Sequence, residues 1–192
     1  MKAFNLRGTN GSGKTYVARK LIELSGAKPD KEFCHPKMKK PFIYQGVMFD
    51  KPFFILGSYE TQCGGCDTIP SVAIVAELLG KLRDRRGIVF YEGLMISHMI
   101  GTVGNAVRDW GTDHIMGFLN TPLETCIARV RARRLEKGND KPFDPTKTLV
   151  GDYKAVQGAK KNAIAQGFVV KVVDHTCAVD DVLHMLEVLN AD

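Results

Sequence analysis

The residues best equipped for chemistry lie near the start of the chain. Gly8-Thr9-Asn10-Gly11-Ser12-Gly13-Lys14-Thr15 fits the pattern G-x-x-x-x-G-K-[ST]. Glycines at these intervals let successive backbone N–H groups turn inward on a phosphate with no Cβ in the way, and a helix starting at Lys14 adds its positive end. Lys14 has the reach for the β- and γ-phosphates, and Thr15 carries a hydroxyl suited to Mg²⁺. The octapeptide therefore predicts a site for a nucleoside triphosphate. A chance glycine-rich turn is the alternative, and the flanks argue against it. Lys2 to Arg7, with apolar Ala3, Phe4 and Leu6, reads as a strand, and Lys14 to Leu24 reads as a helix.

Such a site needs an acid at the end of a buried strand, and Ile88-Val89-Phe90-Tyr91-Glu92-Gly93 supplies one. Glu92 is expected to hold Mg²⁺ directly or through water; a surface acid after an edge strand is the competing reading. Phosphoryl transfer also needs a group to orient or deprotonate the acceptor hydroxyl, and cations to neutralise the group in flight. The polar, glycine-rich segment from Gly57 to Thr68 follows a strand, so in a parallel sheet it faces the ligand. Asp67 is the first candidate base and Glu60 the second, with a cap on the following helix as the alternative for Asp67. In the basic helix Leu123 to Glu136, Arg129 and Arg133 share one face at i, i+4 spacing and could close over phosphates. With the polar loop Gly138 to Thr148 they make a candidate lid over about residues 129–150. A solvated helix face or a DNA-backbone contact would use the same arginines. Cys63-x-x-Cys66, with Cys34-His35 upstream, offers the ligand types of a zinc site, but a flexible pocket loop is the more economical reading.

Strands are expected at 42–49, 53–56, 88–91, 113–119 and 168–173, and helices at 69–86, 97–108, 123–136, from about 149 to 166, and 179–189. This alternation implies an α/β architecture with a parallel sheet covered on both faces. A chain of 192 residues, 44% hydrophobic and 25% charged, is expected to fold as one domain over 1–192. No apolar run approaches the roughly 18 residues that span a bilayer, and residues 1–7 lack the apolar core of a signal peptide. Five cysteines, an odd number, argue against a disulfide framework and for a reducing cytoplasm. The net charge of +6 favours a polyanionic partner, either nucleotide or nucleic acid. The basic loop Lys28 to Lys40 and Arg83, Arg85 and Arg86 are the candidate contacts to a DNA backbone.

With Gly8 to Thr15, Glu92-Gly93 and Arg129/Arg133 occurring in that order, the chain resembles the P-loop kinases of nucleosides and nucleotides over almost its full length. Phe4 to Thr15, Gly57-Ser58-Tyr59 and Gly64-Gly65-Cys66-Asp67-Thr68 are similar, more narrowly, to the bacteriophage 5-hydroxymethyluracil DNA kinases. The resemblance implies a P-loop NTPase fold: three α/β/α layers, a mostly parallel central sheet and an arginine-bearing lid. It implies ATP, Mg²⁺ and phosphorylation of the 5-hydroxymethyl group of uracil in DNA, a step in phage DNA hypermodification in the host cytoplasm. It places the ATP phosphates on Gly8, Thr9, Asn10, Gly11, Ser12, Gly13, Lys14 and Thr15, and the metal near Thr15 and Glu92. The acceptor falls near Ser58, Tyr59, Glu60 and Asp67, and the adenine beside Asp174-His175-Thr176. Glu92-Gly93 stands where many thymidylate kinases carry an Asp-Arg pair, which counts against that activity. A C5 hydroxymethyl group points into the major groove, but a deep pocket accepts an extruded base more easily, so base flipping is expected. The alternatives are a kinase of a free nucleoside or nucleotide, a DNA-binding P-loop ATPase and a zinc-dependent interaction module.

Overall fold

The computed structural model describes residues 1–33, 40–139 and 141–191. The first strand, β1 (Lys2–Arg7), is buried at every position after Lys2 and leads through the glycine-rich turn into α1 (Lys14–Ser25). A two-residue strand, β2 (Lys28–Pro29), follows, then a hairpin of β3 (Ile43–Met48) and β4 (Lys51–Leu56). Its two turn residues, Phe49 and Asp50, take φ of 52° and 58°, the left-handed pair that a tight hairpin needs to match strand twist. Next come α2 (Val72–Arg83), β5 (Ile88–Glu92), the single-turn α3 (Leu94–Ser97) and α4 (Gly101–Val107). β6 (His114–Leu119), α5 (Leu123–Glu136), α6 (Leu149–Ala165), β7 (Val169–Val173) and α7 (Ala178–Ala191) complete the order.

The strands form a seven-stranded sheet in the order β2-β3-β4-β5-β1-β6-β7. β4, β5, β1, β6 and β7 pair in parallel, and β2 and β3 extend one edge antiparallel. Side chains alternate across β1: Phe4 and Leu6 join the core under α1 and α7 with Val17, Leu21 and Leu186, while Ala3 joins the opposite core with Leu78, Leu79 and Val103. Helices therefore cover both faces, and the three-layer α/β/α arrangement expected from the sequence is present. The parallel strands bring their carboxyl ends to one rim, and the register pairs Leu6 with Glu92. The loop after β1 and the acid ending β5 are thus neighbours by topology, at the rim where open α/β sheets take their ligands.

Three elements differ from expectation. The helix foreseen from Ile69 starts at Val72, because Ile69 precedes Pro70 and is extended (φ −88°, ψ 135°); Ser71 caps it, accepting from the Ile74 N–H at 3.3 Å. The helix foreseen at 97–108 is broken between α3 and α4, where the Met99 carbonyl accepts from Arg7 Nη1 at 3.0 Å instead of serving a helical ladder. Within the expected basic loop, Lys28 and Pro29 pair with β3 as an edge strand, while Cys34, His35, Lys37 and Lys39 lie outside the described residues. Among the described residues, no helix is long and apolar enough to cross a membrane.

Candidate active site

The phosphate loop is anchored at both ends. Its first amide, Gly8 N–H, donates to Ser97 Oγ at 3.2 Å, and Gly13 enters α1 with a φ of 110° that strains any side chain with a Cβ. Lys14 is 6% exposed and donates to the Gly8 and Thr9 carbonyls at 2.7 and 3.0 Å. Burial pulls its ammonium below the ordinary lysine range, against the opposing pull of the Glu92 and Asp67 carboxylates. The hydroxyls of Thr9 and Ser12 are buried with no partner among the described residues. Orphan donors beside a buried ammonium are what a polyphosphate would satisfy, so the loop fits the group its sequence implies. Beneath it, Arg7 is wholly buried, with Nε donating to Asn5 Oδ1 and its guanidinium 5.8 Å from the Phe118 ring centroid.

Glu92 closes one side of the loop. It is 1% exposed, and its Oε1 accepts from Thr15 Oγ1 at 3.1 Å. Burial pushes its carboxyl up to about 7, with the Lys14 charge holding it from rising further. The Thr15 hydroxyl and the Glu92 carboxylate supply the hard oxygen donors that Mg²⁺ takes beside phosphates. Asp67 lies on the same side of the loop, in a short turn after the glycine-rich segment. One of its oxygens accepts from the Leu94 N–H at 2.7 Å and the other from the Met95 N–H at 2.8 Å. It thus caps α3, across the site, and not the helix that follows it in sequence. Gly65 (φ +76°) lies so close to Glu92 that an added Cβ would press into the carboxylate.

Two cavities meet at the loop. One, of about 530 Å³, is lined by Ser12, Gly13 and Tyr16 with His175, Thr176 and Val179 from the segment after β7. The other, of about 680 Å³, is lined by Lys14, Thr15, Asp67, Glu92, Arg133 and His98, among others. Arg129 borders both, its Nη1 donating to the Ser12 carbonyl at 3.1 Å, and Arg133 Nη2 donates to Asn10 Oδ1 at 2.7 Å. The two arginines lie across the phosphate loop from one helix face.

Other expected residues stand elsewhere. The segment after β4 turns back on itself through a bridge between Ser58 and Gly65, which buries Ser58 and Tyr59 at 3% and 8% exposure. The Tyr59 hydroxyl lies 3.2 Å from the Leu56 carbonyl and its side chain also hydrogen-bonds the Glu92 carboxylate, and neither Ser58 nor Tyr59 lines either of these cavities. Glu60 is exposed and outside the lining because the same turn carries it to the surface. Of the candidate lid over 129–150, Arg129 and Arg133 of α5 reach the phosphate loop. Arg134 donates to Asn139 Oδ1 and the Lys141 carbonyl at 3.2 and 3.4 Å and lies over the Phe143 ring, tying the following loop back onto its own helix. Arg83 ends α2, and Arg85 and Arg86 lie in the turn before β5, at the opposite end of the sheet from the phosphate loop, with Arg85 paired with Glu32 at 3.1 Å. Cys66 is buried and Cys63 exposed, and among the described residues no three His, Cys, Asp or Glu side chains converge on a metal position.

The sequence reading missed three contributors. Tyr16, directly after Thr15, is 62% exposed and borders both cavities; its place in the first turn of α1 was a usable signal. His98 lines the larger cavity, and no local pattern marks it. Gln62, which lines the larger cavity, donates through Nε2 to Glu136 Oε2 at 3.2 Å, joining the segment after β4 to the last turn of α5.

No family model matches the chain. A protein named 5-hmdU DNA kinase from Pseudomonas phage PaMx11 is 38% identical over 191 residues, covering 97% of each chain. Another of that name, from Pseudomonas phage M6, is 26% identical over 204 residues, covering 97% of this chain and 98% of the relative. Among solved structures, a gluconokinase from Sinorhizobium meliloti 1021 matches with a TM-score of 0.54 at 16% identity, covering 98% of this chain and 93% of that one, a likeness of fold.

Proposed function

This chain belongs to the 5-hmdU DNA kinase family, and from that premise we propose that it transfers the γ-phosphoryl group of ATP to the 5-hydroxymethyl group of 5-hydroxymethyluracil in DNA. Residues 1–192 act as one catalytic domain in the host cytoplasm. The observation that carries the reading is the convergence of Lys14, Glu92, Asp67 and Arg133 on one cavity, which joins a second, nucleotide-sized cavity at the phosphate loop. The smaller cavity takes the adenine against His175 and Thr176, and the triphosphate runs over Gly8 to Thr15. The acceptor enters the larger one, about 680 Å³, as a nucleotide extruded from the helix.

In this reading Asp67 is the base. Each of its oxygens spends one lone pair on an α3 amide and keeps another for the hydroxyl proton. As that proton leaves, the hydroxymethyl oxygen bonds to the γ-phosphorus and the bond from phosphorus to the bridging oxygen of ADP breaks. Lys14, Arg129 and Arg133 stabilise the charge on the transferring group. Mg²⁺ held at Thr15 and Glu92 would neutralise the β- and γ-oxygens. The products are ADP and a phosphomonoester on the base. Backbone phosphates beside the extruded nucleotide are met by Arg19 at the cavity mouth, and binding weakens as salt rises.

The test is label transfer from γ-labelled ATP to DNA containing 5-hydroxymethyluracil, to unmodified DNA and to free nucleosides and nucleotides. Label is expected on the modified DNA alone, and Lys14→Ala is expected to slow transfer by about 10²-fold or more. Label on a free nucleotide, or released phosphate only, overturns the acceptor assignment. An unchanged rate in Lys14→Ala overturns the phosphate-loop chemistry.

A further inference from the structure

The acceptor side of the larger cavity has one wall that is unusually fixed. α3 is held at its start by Asp67 through the Leu94 and Met95 amides, and at its end by Ser97, whose Oγ donates to the Gly93 carbonyl at 2.5 Å and accepts from the Gly8 amide. The wall is thereby tied to the candidate base and to the phosphate loop at once. It presents Leu94 and Met95, apolar side chains that suit the face of a flat ring, and then His98. The Nε2 atom of His98 is buried without a hydrogen-bond partner and stands 3.6 Å from Oδ1 of Asp152, in the first turn of α6. No described residue hydrogen-bonds its other ring nitrogen, Nδ1.

These placements have a chemical consequence. In the neutral imidazole, a carboxylate facing Nε2 favours the tautomer with the proton on that nitrogen, which leaves Nδ1 as an acceptor. An acceptor lining the same cavity as an apolar wall complements a ring N–H. Uracil-type bases carry a donor at N3, and cytosine-type bases carry an acceptor there.

We infer that His98, oriented by Asp152, reads the N3–H edge of the extruded base and makes the enzyme selective for 5-hydroxymethyluracil over 5-hydroxymethylcytosine. The inference rests on the DNA-kinase reading and adds to it the residue that selects the base. His98 is a specificity-determining residue and Asp152 a positioning one. Neither takes part in the transfer itself.

The experiment compares two otherwise identical oligonucleotides, one with a single 5-hydroxymethyluracil and one with a single 5-hydroxymethylcytosine, as acceptors for the wild type, His98→Ala, His98→Gln and Asp152→Ala. The wild type is expected to favour the uracil oligonucleotide in kcat/KM. His98→Ala should shrink that preference by about tenfold or more, the scale of losing one buried hydrogen bond to the wrong partner, with a raised KM for DNA and an unchanged KM for ATP. His98→Gln, which keeps the packing, should lose selectivity as well, and Asp152→Ala should lose part of it. A preference that survives in all three variants overturns the inference, as does an equal rise in the KM for ATP, which would put His98 in the nucleotide half. A wild type that labels neither oligonucleotide overturns the DNA-kinase reading and this inference with it. A wild type that labels the uracil oligonucleotide while the His98 variants stay selective overturns this inference alone.

Discussion

Replacing Glu92 by Gln should make the protein more resistant to unfolding at alkaline pH while stopping catalysis. Burial raises this carboxyl from 4.5 to about 7 in the folded chain. At about 1.4 kcal/mol per pH unit, that difference is worth at most about 3 kcal/mol. The sign follows from which state holds the proton. Below about pH 4.5 both states are protonated and the folded chain has its full stability. Between 4.5 and 7 the unfolded chain has lost the proton and the folded chain has not, so stability drains as pH rises and levels off above about 7. Glutamine has nothing to titrate and keeps an oxygen for the Thr15 hydroxyl. Urea unfolding of both proteins in metal-free buffer at about pH 4 and pH 8 measures the effect. The wild type should lose up to about 3 kcal/mol over that range relative to Glu92→Gln, while the variant's transfer rate falls by about 10²-fold or more at every pH. Parallel pH profiles would refute the argument, because they would mean that the carboxylate is not desolvated beside Lys14.

Two other residues lend themselves to equally direct tests. His114 is buried with Nε2 2.8 Å from the Tyr91 hydroxyl, and burial, with Arg7 nearby, lowers its pKa to about 3. Its contribution to stability is complete above about pH 6.5 and is lost toward pH 3, at up to about 1.4 kcal/mol per unit, so His114→Gln should flatten the fall in melting temperature across that acid window. Gly65→Ala forces a Cβ against the Glu92 carboxylate at a φ of +76°; it should destabilise by about 1 kcal/mol or more and raise the Mg²⁺ concentration needed for half-maximal transfer, both measurable on one preparation.

The parts of the site that were legible in the sequence are those whose chemistry is local. The phosphate loop is a contiguous octapeptide, Glu92 ends an apolar run, and Arg129 and Arg133 follow helical spacing, so each could be assigned from its neighbours. The sheet followed from alternating strand and helix patterns in the same way. What escaped depends on pairs distant in sequence. Asp67 caps a helix through Leu94 and Met95. Ser58 and Tyr59 are buried by the bridge between Ser58 and Gly65, seven residues on. Arg134 reaches Asn139 and Lys141 in the loop after α5. No periodicity records such contacts.

The hydrogen bond between Gln62, which lines the larger cavity, and Glu136, at the end of α5, joins two elements of the site, and both residues are exposed. A bond in that setting is worth about 1 kcal/mol, less than twice the thermal energy of about 0.6 kcal/mol. By that bond alone, the cleft would spend on the order of a tenth to a fifth of its time unlatched at room temperature. Entry of a nucleotide would then need no trigger from ATP, and the order in which the two substrates arrive would be set by their concentrations.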